Sequence, residues 1–303
     1  MELPKLFKKI AILKNLIFNK KDTKEKELLN KEKIIIEDEP LVDVDIAEIT
    51  PPQMNYEEEY SEKIVYGITD KGNRSNNEDS ILIKKINDIY LLAVADGVGG
   101  HSAGEVASNM AVDILRDTII NEYSENQNIE DLKNLLKKSH EIAHQKIKEN
   151  SIGDKKDMGT TLTSAIIKGN KCIVANTGDS RAYLIRDGNI LFKTKDHSFV
   201  QALVDEGHIS EEKARTHHMK NIITSALGLE DLKIDIYEWD LIDGDILLWS
   251  SDGLHDYVGK EDILNVVENN DNPKDIVEEL FNIALKETRD NVSIIAFRKR
   301  KNE

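Results

Sequence analysis

Glu78-Asp79, Asp96, Asp179, Asp252 and Asp290 stand at the ends of short apolar runs. "RSNNED" precedes "SILIKKI", "LLAVAD" stops on Asp96, "CIVANTGD" on Asp179, "DILLWSSD" on Asp252, and "RDNVSIIAF" opens at Asp290. Strands that begin or end on carboxylates could bring them to one rim, where their repulsion would be prohibitive without cations between them. Oxygen ligands with no cysteine or histidine cluster beside them select hard ions, magnesium or manganese. Gly97 and Gly253 follow Asp96 and Asp252 directly, which allows close backbone approach and makes the Gly97 carbonyl a candidate ligand. A single Asp-Gly is by default only a turn, and Asp187-Gly188 in "RDGN" is read that way. The joint pattern is not explained by turns.

The elements that must position these acids follow from the surrounding texture. The chain has 303 residues, 39% hydrophobic and 32% charged, enough for one large domain and an appendage. Acids exceed bases by 57 to 41, a formal charge of -16, which argues against a nucleic-acid partner and favours metal cations or cationic peptides. The single cysteine, Cys172, lies in the apolar run "CIVAN" and reads as a buried structural thiol, and without a disulfide framework the expected location is cytoplasmic. Between Ser61 and the C-terminus, short apolar runs alternate with Asn-Asp, Gly-Asn and Asp-Gly turns, the signature of antiparallel hairpins. Several runs are apolar on both faces, so their sheets need cover on both sides. Helices are expected at 103–120, opened by a Ser102–Glu105 capping box, at 130–148, at 198–206, opened by Ser198–Gln201, and at 273–286 with Pro273 first. The fold class that satisfies this is α+β: two packed antiparallel β-sheets flanked by helix pairs.

Residues 1–60 differ from residues 61–303. Leu3, Leu6, Phe7, Ile10, Leu13, Leu16 and Ile17 form one apolar stripe at helical spacing among lysines, too short and too interrupted for the roughly 20 residues of a membrane span. This basic amphipathic helix has three candidate roles: lying on an anionic membrane surface, docking on a partner through residues 1–20, or packing on its own domain. The acidic, proline-bearing stretch from Asp22 to Tyr60 reads as a solvated linker, with "LVDVDI" as one candidate extended docking segment.

"TDKGNRSNNED", "VADGVGGHSAGE", "MGTTLTSAII", "ANTGDSRAYLI", "DHSFVQALVDEGHI", "NIITSALG", "LLWSSDGL" and "RDNVSIIAF" occur in the order found in bacterial metal-dependent protein phosphatases of the type 2C family, which residues 61–298 closely resemble. The resemblance implies a β-sandwich with two magnesium or manganese ions in a cleft at one end. It implies that Asp96 bridges both ions, that Gly97 binds one through its carbonyl, and that Asp252 and Asp290 complete the shell of the first ion. Glu78 and Asp79 fall where the second ion is held, and Asp179 matches the acid that with Asp252 holds a weaker third ion. Arg74 matches the arginine that grips the phosphate, a role its planar fork suits; the alternative is a surface pair with Asp70 or Glu78.

His101 is the candidate general acid, with helix capping or a phosphate contact as the alternatives. His197 reads as structural support, and the His217-His218 pair, in the segment resembling the family's flap, lacks the companions a zinc site needs. One departure is Ser225 in "NIITSALG", where many relatives carry arginine, so a contact made by that arginine is not carried over. The expected activity is hydrolysis of phosphoserine and phosphothreonine in proteins by a monomer opposing a Ser/Thr kinase, water attacking phosphorus in line with no covalent phosphoenzyme. A metal-holding adaptor and a two-metal nuclease are the competing readings, the second disfavoured by the charge.

Overall fold

A computed structural model describes residues 63–98, 103–153 and 157–300. The amphipathic stripe, the acidic linker, Ser102 and His101 lie outside the described residues. Alternating hydrophobicity resolves into strands β1 (Val65–Asp70), β2 (Asp79–Ile86), β3 (Ile89–Val98), β4 (Gly159–Thr160), β5 (Leu162–Lys168), β6 (Lys171–Thr177), β7 (Arg181–Arg186), β8 (Asn189–Lys193), β9 (Asp235–Asp240), β10 (Ile246–Ser250) and β11 (Val292–Arg298). They form two antiparallel sheets, one in the order β1-β11-β10-β7-β8 and the other β2-β3-β5-β6-β9, with β4 paired to the end of β3. The expected hairpins are tight: β2–β3 turns at Asn87-Asp88, β5–β6 at Gly169-Asn170 and β7–β8 at Asp187-Gly188. Asp187 and Gly188 both take positive φ (49° and 69°), the backbone a two-residue turn needs to match strand twist.

Strands that are apolar on both faces serve two cores. Along β3, Tyr90, Leu92 and Val94 point between the sheets, while Leu91, Ala93 and Ala95 point to the helices. Along β10, Leu247 and Trp249 face the inter-sheet core and Ile246 and Leu248 face the other way. One outer core is closed by α1 (Ala103–Glu122) and α2 (Ile129–Asn150), the latter opened by a capping box between Asn128 and Asp131. The opposite one is closed by α6 (Lys260–Asn269) and α7 (Pro273–Ala284), whose N-cap is Asn272. The α+β sandwich flanked by helix pairs is therefore the observed architecture.

Short elements complete the chain: α3 (Phe199–Asp205), α4 (Glu211–Arg215) and α5 (Asp252–His255). Sequence periodicity anticipates α1, α2, α3 and α7 but not α4 and α5, which are too brief to repeat a pattern. It also misses α6, although Ile263, Val266 and Val267 are buried at helical spacing. The Ser198 hydroxyl accepts from the Gln201 amide at 3.2 Å, but the Gln201 side chain turns to Asp205, so the expected box is only half formed. Among the described residues no helix is long and apolar enough to cross a membrane.

Candidate active site

The β2–β3 hairpin sets the first pair of acids, because its register places Asp79 directly opposite Asp96. Beyond Asp96 the strand continues to Gly97, whose amide donates to the Glu78 carbonyl at 3.1 Å. A Cβ on Gly97 would stand 2.5 Å from that same carbonyl oxygen and would also overlap Gly104 at the start of α1, so only glycine fits. Asp179 lies in the β6–β7 turn, Asp252 opens α5 immediately after β10, and Asp290 precedes β11. Gly253 is required because any Cβ there would collide with the Asn291 carbonyl.

These acids sense one another. Burial pushes the Asp96 carboxyl well above the usual carboxylate range, and Asp79, Asp252, Asp179 and Asp290 push it further. Asp252 is raised well above its ordinary value by burial and then by Asp179, Asp290, Asp256 and Asp79. Asp79 is pushed up to about 7, chiefly by burial, and Asp179 likewise to about 7, with Asp196 and Asp256 adding repulsion. Burial also raises Glu78, against the pull of Arg74. Asp79 Oδ2 is buried with no hydrogen-bond partner, a cost that a native fold accepts where something else binds. Among the described residues no three such side chains stand close enough to enclose an ion unaided. A buried, mutually repelling, oxygen-only donor set with an orphaned carboxylate oxygen nevertheless fits hard divalent cations.

Small polar residues hold the acids in place, and their role is not evident from the sequence. The Thr161 hydroxyl accepts the Asp96 amide at 2.8 Å and meets the Ser180 hydroxyl at 2.7 Å, tying the end of β3 to the Asp179 turn. The Thr160 hydroxyl donates to the Asp96 carbonyl at 2.9 Å. Asn291 is the hub of the other side: its Oδ1 accepts the Glu78 amide at 2.8 Å, and its Nδ2 donates to the Lys71 and Asn76 carbonyls at 2.9 and 2.7 Å. Truncation in Asn291→Ala strands those three backbone groups at once. It is expected to lower the unfolding free energy by about 3 kcal/mol, read from urea midpoints; a loss below about 1 kcal/mol would show that water replaces the amide.

Arg74 reaches the same rim but pairs with neither Asp70 nor Glu78. Its Nη2 contacts Asp290 Oδ2 at 2.8 Å and its Nε donates to the Arg289 carbonyl at 2.8 Å. His197 is structural, as expected: Nδ1 accepts the Gly178 amide at 3.2 Å, Nε2 donates to Asp235 at 3.0 Å, and burial holds its pKa down. His217 and His218 pack ring on ring, centroids 4.4 Å apart, and among the described residues they join no metal-holding cluster. Ser225 is buried, and its hydroxyl accepts the Lys233 amide at 2.8 Å, so here the position anchors a loop.

Comparison with known proteins adds independent findings. The family profile described as "Protein phosphatase 2C" matches residues 59–203. "Serine/threonine phosphatase stp" of Listeria welshimeri is 39% identical over 205 residues, covering 65% of this chain and 81% of the relative. "Serine/threonine protein phosphatase PstP" of Mycobacterium tuberculosis is 37% identical over 195 residues, 64% of this chain but only 37% of that relative's length. Among solved structures, "Serine/threonine phosphatase Stp1 from Staphylococcus aureus" superposes with a TM-score of 0.74 at 33% identity, covering 78% of this chain and 95% of that one. The PstP catalytic domain "in complex with 2 Manganese ions" gives 0.66 at 32% identity, covering 78% and 98%.

Proposed function

Because this chain belongs to the protein phosphatase 2C family, we propose that it hydrolyses phosphoserine and phosphothreonine in proteins, as a cytoplasmic monomer opposing a Ser/Thr kinase. What supports the reading is that Asp79 stands opposite Asp96 across one hairpin, that Asp79 Oδ2 is buried without a partner, and that Asp179, Asp252 and Asp290, from distant parts of the chain, repel Asp96. In this reading Asp96 with Asp252 and Asp290 would hold one magnesium or manganese ion, Asp96 with Glu78 and Asp79 would hold a second, and the Gly97 carbonyl would serve one of the two. Asp179 and Asp252 take a weaker third. Such ions, when bound, supply a water of lowered pKa and neutralise the phosphoryl oxygens.

The chain's own groups do the rest. Arg74 stands beside Asp290, and its guanidinium can exchange that carboxylate for the substrate phosphate, which has matching bidentate geometry. His101, outside the described residues, is the proposed proton donor to the departing serine or threonine oxygen. No side chain is needed as nucleophile: Cys172, the one thiol, is buried between the sheets, where burial keeps it protonated. The direct test is phosphate release from p-nitrophenyl phosphate and from phosphothreonine peptides by the full chain with manganese. Failure on every substrate would sink the proposal.

Residues 1–60 are proposed to be a separate localising extension and residues 61–303 the catalytic domain. Deletion of 1–60 is expected to leave small-substrate turnover within about twofold, since site residues all lie beyond it, while changing membrane recruitment or partner capture. A large loss of turnover would instead mean that the extension packs on the fold.

A further inference from the structure

A groove of about 660 Å³ opens beside the candidate metal acids, and Asp179, Asp252, Asp256 and Lys220 all line it. Asp252 and Asp256 stand four residues apart around the single turn of α5, where the Asp256 amide donates to the Asp252 carbonyl at 3.0 Å. That spacing puts both carboxylates on one side of the turn. Asp256 is not one of the expected ligands, yet its charge reaches them: after burial, it is among the charges that raise both the Asp252 and the Asp179 carboxyls.

Lys220 comes to Asp256 from the segment between α4 and Ser225. Its Nζ meets Asp256 Oδ2 at 2.6 Å and lies 5.2 Å from the centre of the Tyr257 ring. Against burial, which lowers it, Asp256 and then Tyr257 and Asp252 raise the Lys220 pKa. The backbone around it is fastened: the Lys220 amide donates to the His217 carbonyl at 3.0 Å, the Phe199 amide to the Ile222 carbonyl at 2.8 Å, and the Thr224 amide to the His197 carbonyl at 2.7 Å. The two side chains are 27% and 13% exposed, so water and salt screen this pair less than one at the open surface. Lys193 and Glu211, in the same groove, are such an open pair: they stand 3.4 Å apart with the glutamate 71% exposed.

We infer that Lys220 and Asp256 set the affinity of the weaker cation at Asp179 and Asp252: the Asp256 carboxylate adds to their pull, and the Lys220 ammonium, held against Asp256, cancels that addition and keeps the cation exchangeable. The inference rests on the phosphatase reading above, with its third ion, and adds the residues that tune that ion. Neither side chain needs to touch it, because a charge one helical turn from the ligands acts through its field.

The experiment counts manganese bound per full chain, from the free-ion signal in electron paramagnetic resonance. K220M leaves Asp256 uncompensated and is expected to tighten the weakest manganese about fivefold, the scale of one partly screened charge contact. K220Q, a second neutral variant, should do the same. D256N leaves the ammonium uncompensated and should loosen that ion by a similar factor. K220M/D256N should return close to wild type, and K220R, which keeps the charge, should match it. Both shifts should shrink as salt rises. The signs discriminate, because a pair that only fastened the segment to α5 would move K220M and D256N in the same direction. Shifts of one sign, or none, in variants that thermal melts show to be folded overturn the inference and leave the phosphatase reading intact. So does a wild-type chain that never takes up a third manganese. A wild-type chain that binds no manganese and releases no phosphate from p-nitrophenyl phosphate overturns both.

Discussion

Asp96→Asn and Asp252→Asn are each expected to cut manganese-dependent phosphate release at least about 10³-fold, which corresponds to about 4 kcal/mol of lost transition-state stabilisation. Asparagine preserves shape and keeps one oxygen but removes the charge that draws a hard cation into the rim. Asp96 suffers repulsion from Asp79, Asp252, Asp179 and Asp290 together, so its neutralisation relieves strain that the folded protein otherwise bears without metal. The same variants should therefore melt at higher temperature than the wild type in chelator. They should also lose most of the rise in Tm that manganese gives the wild type. This pairing of lost activity with gained metal-free stability separates a metal-holding acid from a structural one. A structural carboxylate would cost stability when replaced, and that outcome at Asp96 would remove it from the centre.

The second large effect is on the pH dependence of the metal-free fold. Asp79 and Asp179 are pushed up to about 7 in the folded chain, and burial with mutual repulsion raises Asp96 and Asp252 well above the ordinary carboxylate range of the unfolded chain. The folded state therefore binds more protons than the unfolded state between about pH 4 and 7, and stability falls as pH rises through that window. Buried histidines act in the opposite sense: His140 is held down to about 3 and His255 well below its ordinary value, both mainly by burial. Each costs stability once pH falls below about 6.5, where the unfolded histidine takes a proton and the folded one does not.

Between pH 8 and 6.5 only the acids contribute strongly. The metal-free chain is expected to gain about 1–2 kcal/mol on acidification across that interval, from Asp79 and Asp179, measured by urea unfolding in chelator. Saturating manganese should abolish the gain by holding the acids ionised in the folded state. A flat or opposite profile in chelator would mean that these carboxylates are not jointly buried.

Much of the scaffold was legible because it depends on local periodicity. Two-residue turns at Asn87-Asp88, Gly169-Asn170 and Asp187-Gly188 announce their hairpins through backbone preferences alone. Runs apolar on both faces announce a sheet covered on both sides, and Leu91, Ala93 and Ala95 against Leu92 and Val94 bear this out. The opposition of Asp79 and Asp96 is likewise a consequence of one local hairpin.

Other features are non-local. Helix α6 has buried positions at helical spacing but escapes sequence periodicity, because it follows a turn-rich stretch and is only 10 residues long. Arg74 could not be given its partner, since Asp290 lies 216 residues away and arrives only because β1 pairs with β11. That Ser225 anchors a loop is a fact that needs Lys233 to be folded back against it.

By itself, then, the order of residues determined the strands, most of the helices, the two-layer architecture and the acids worth watching, since each of these is set by side-chain spacing and backbone preference over a few residues. Only the tertiary structure decided that Asn291 would be the hub beneath Glu78, that Thr161 would brace Asp96, and that Lys220 would reach Asp256 at the end of α5. Those meetings depend on sheet order and inter-element packing, in which residues far apart in the chain are brought within a hydrogen bond by the burial of three cores at once.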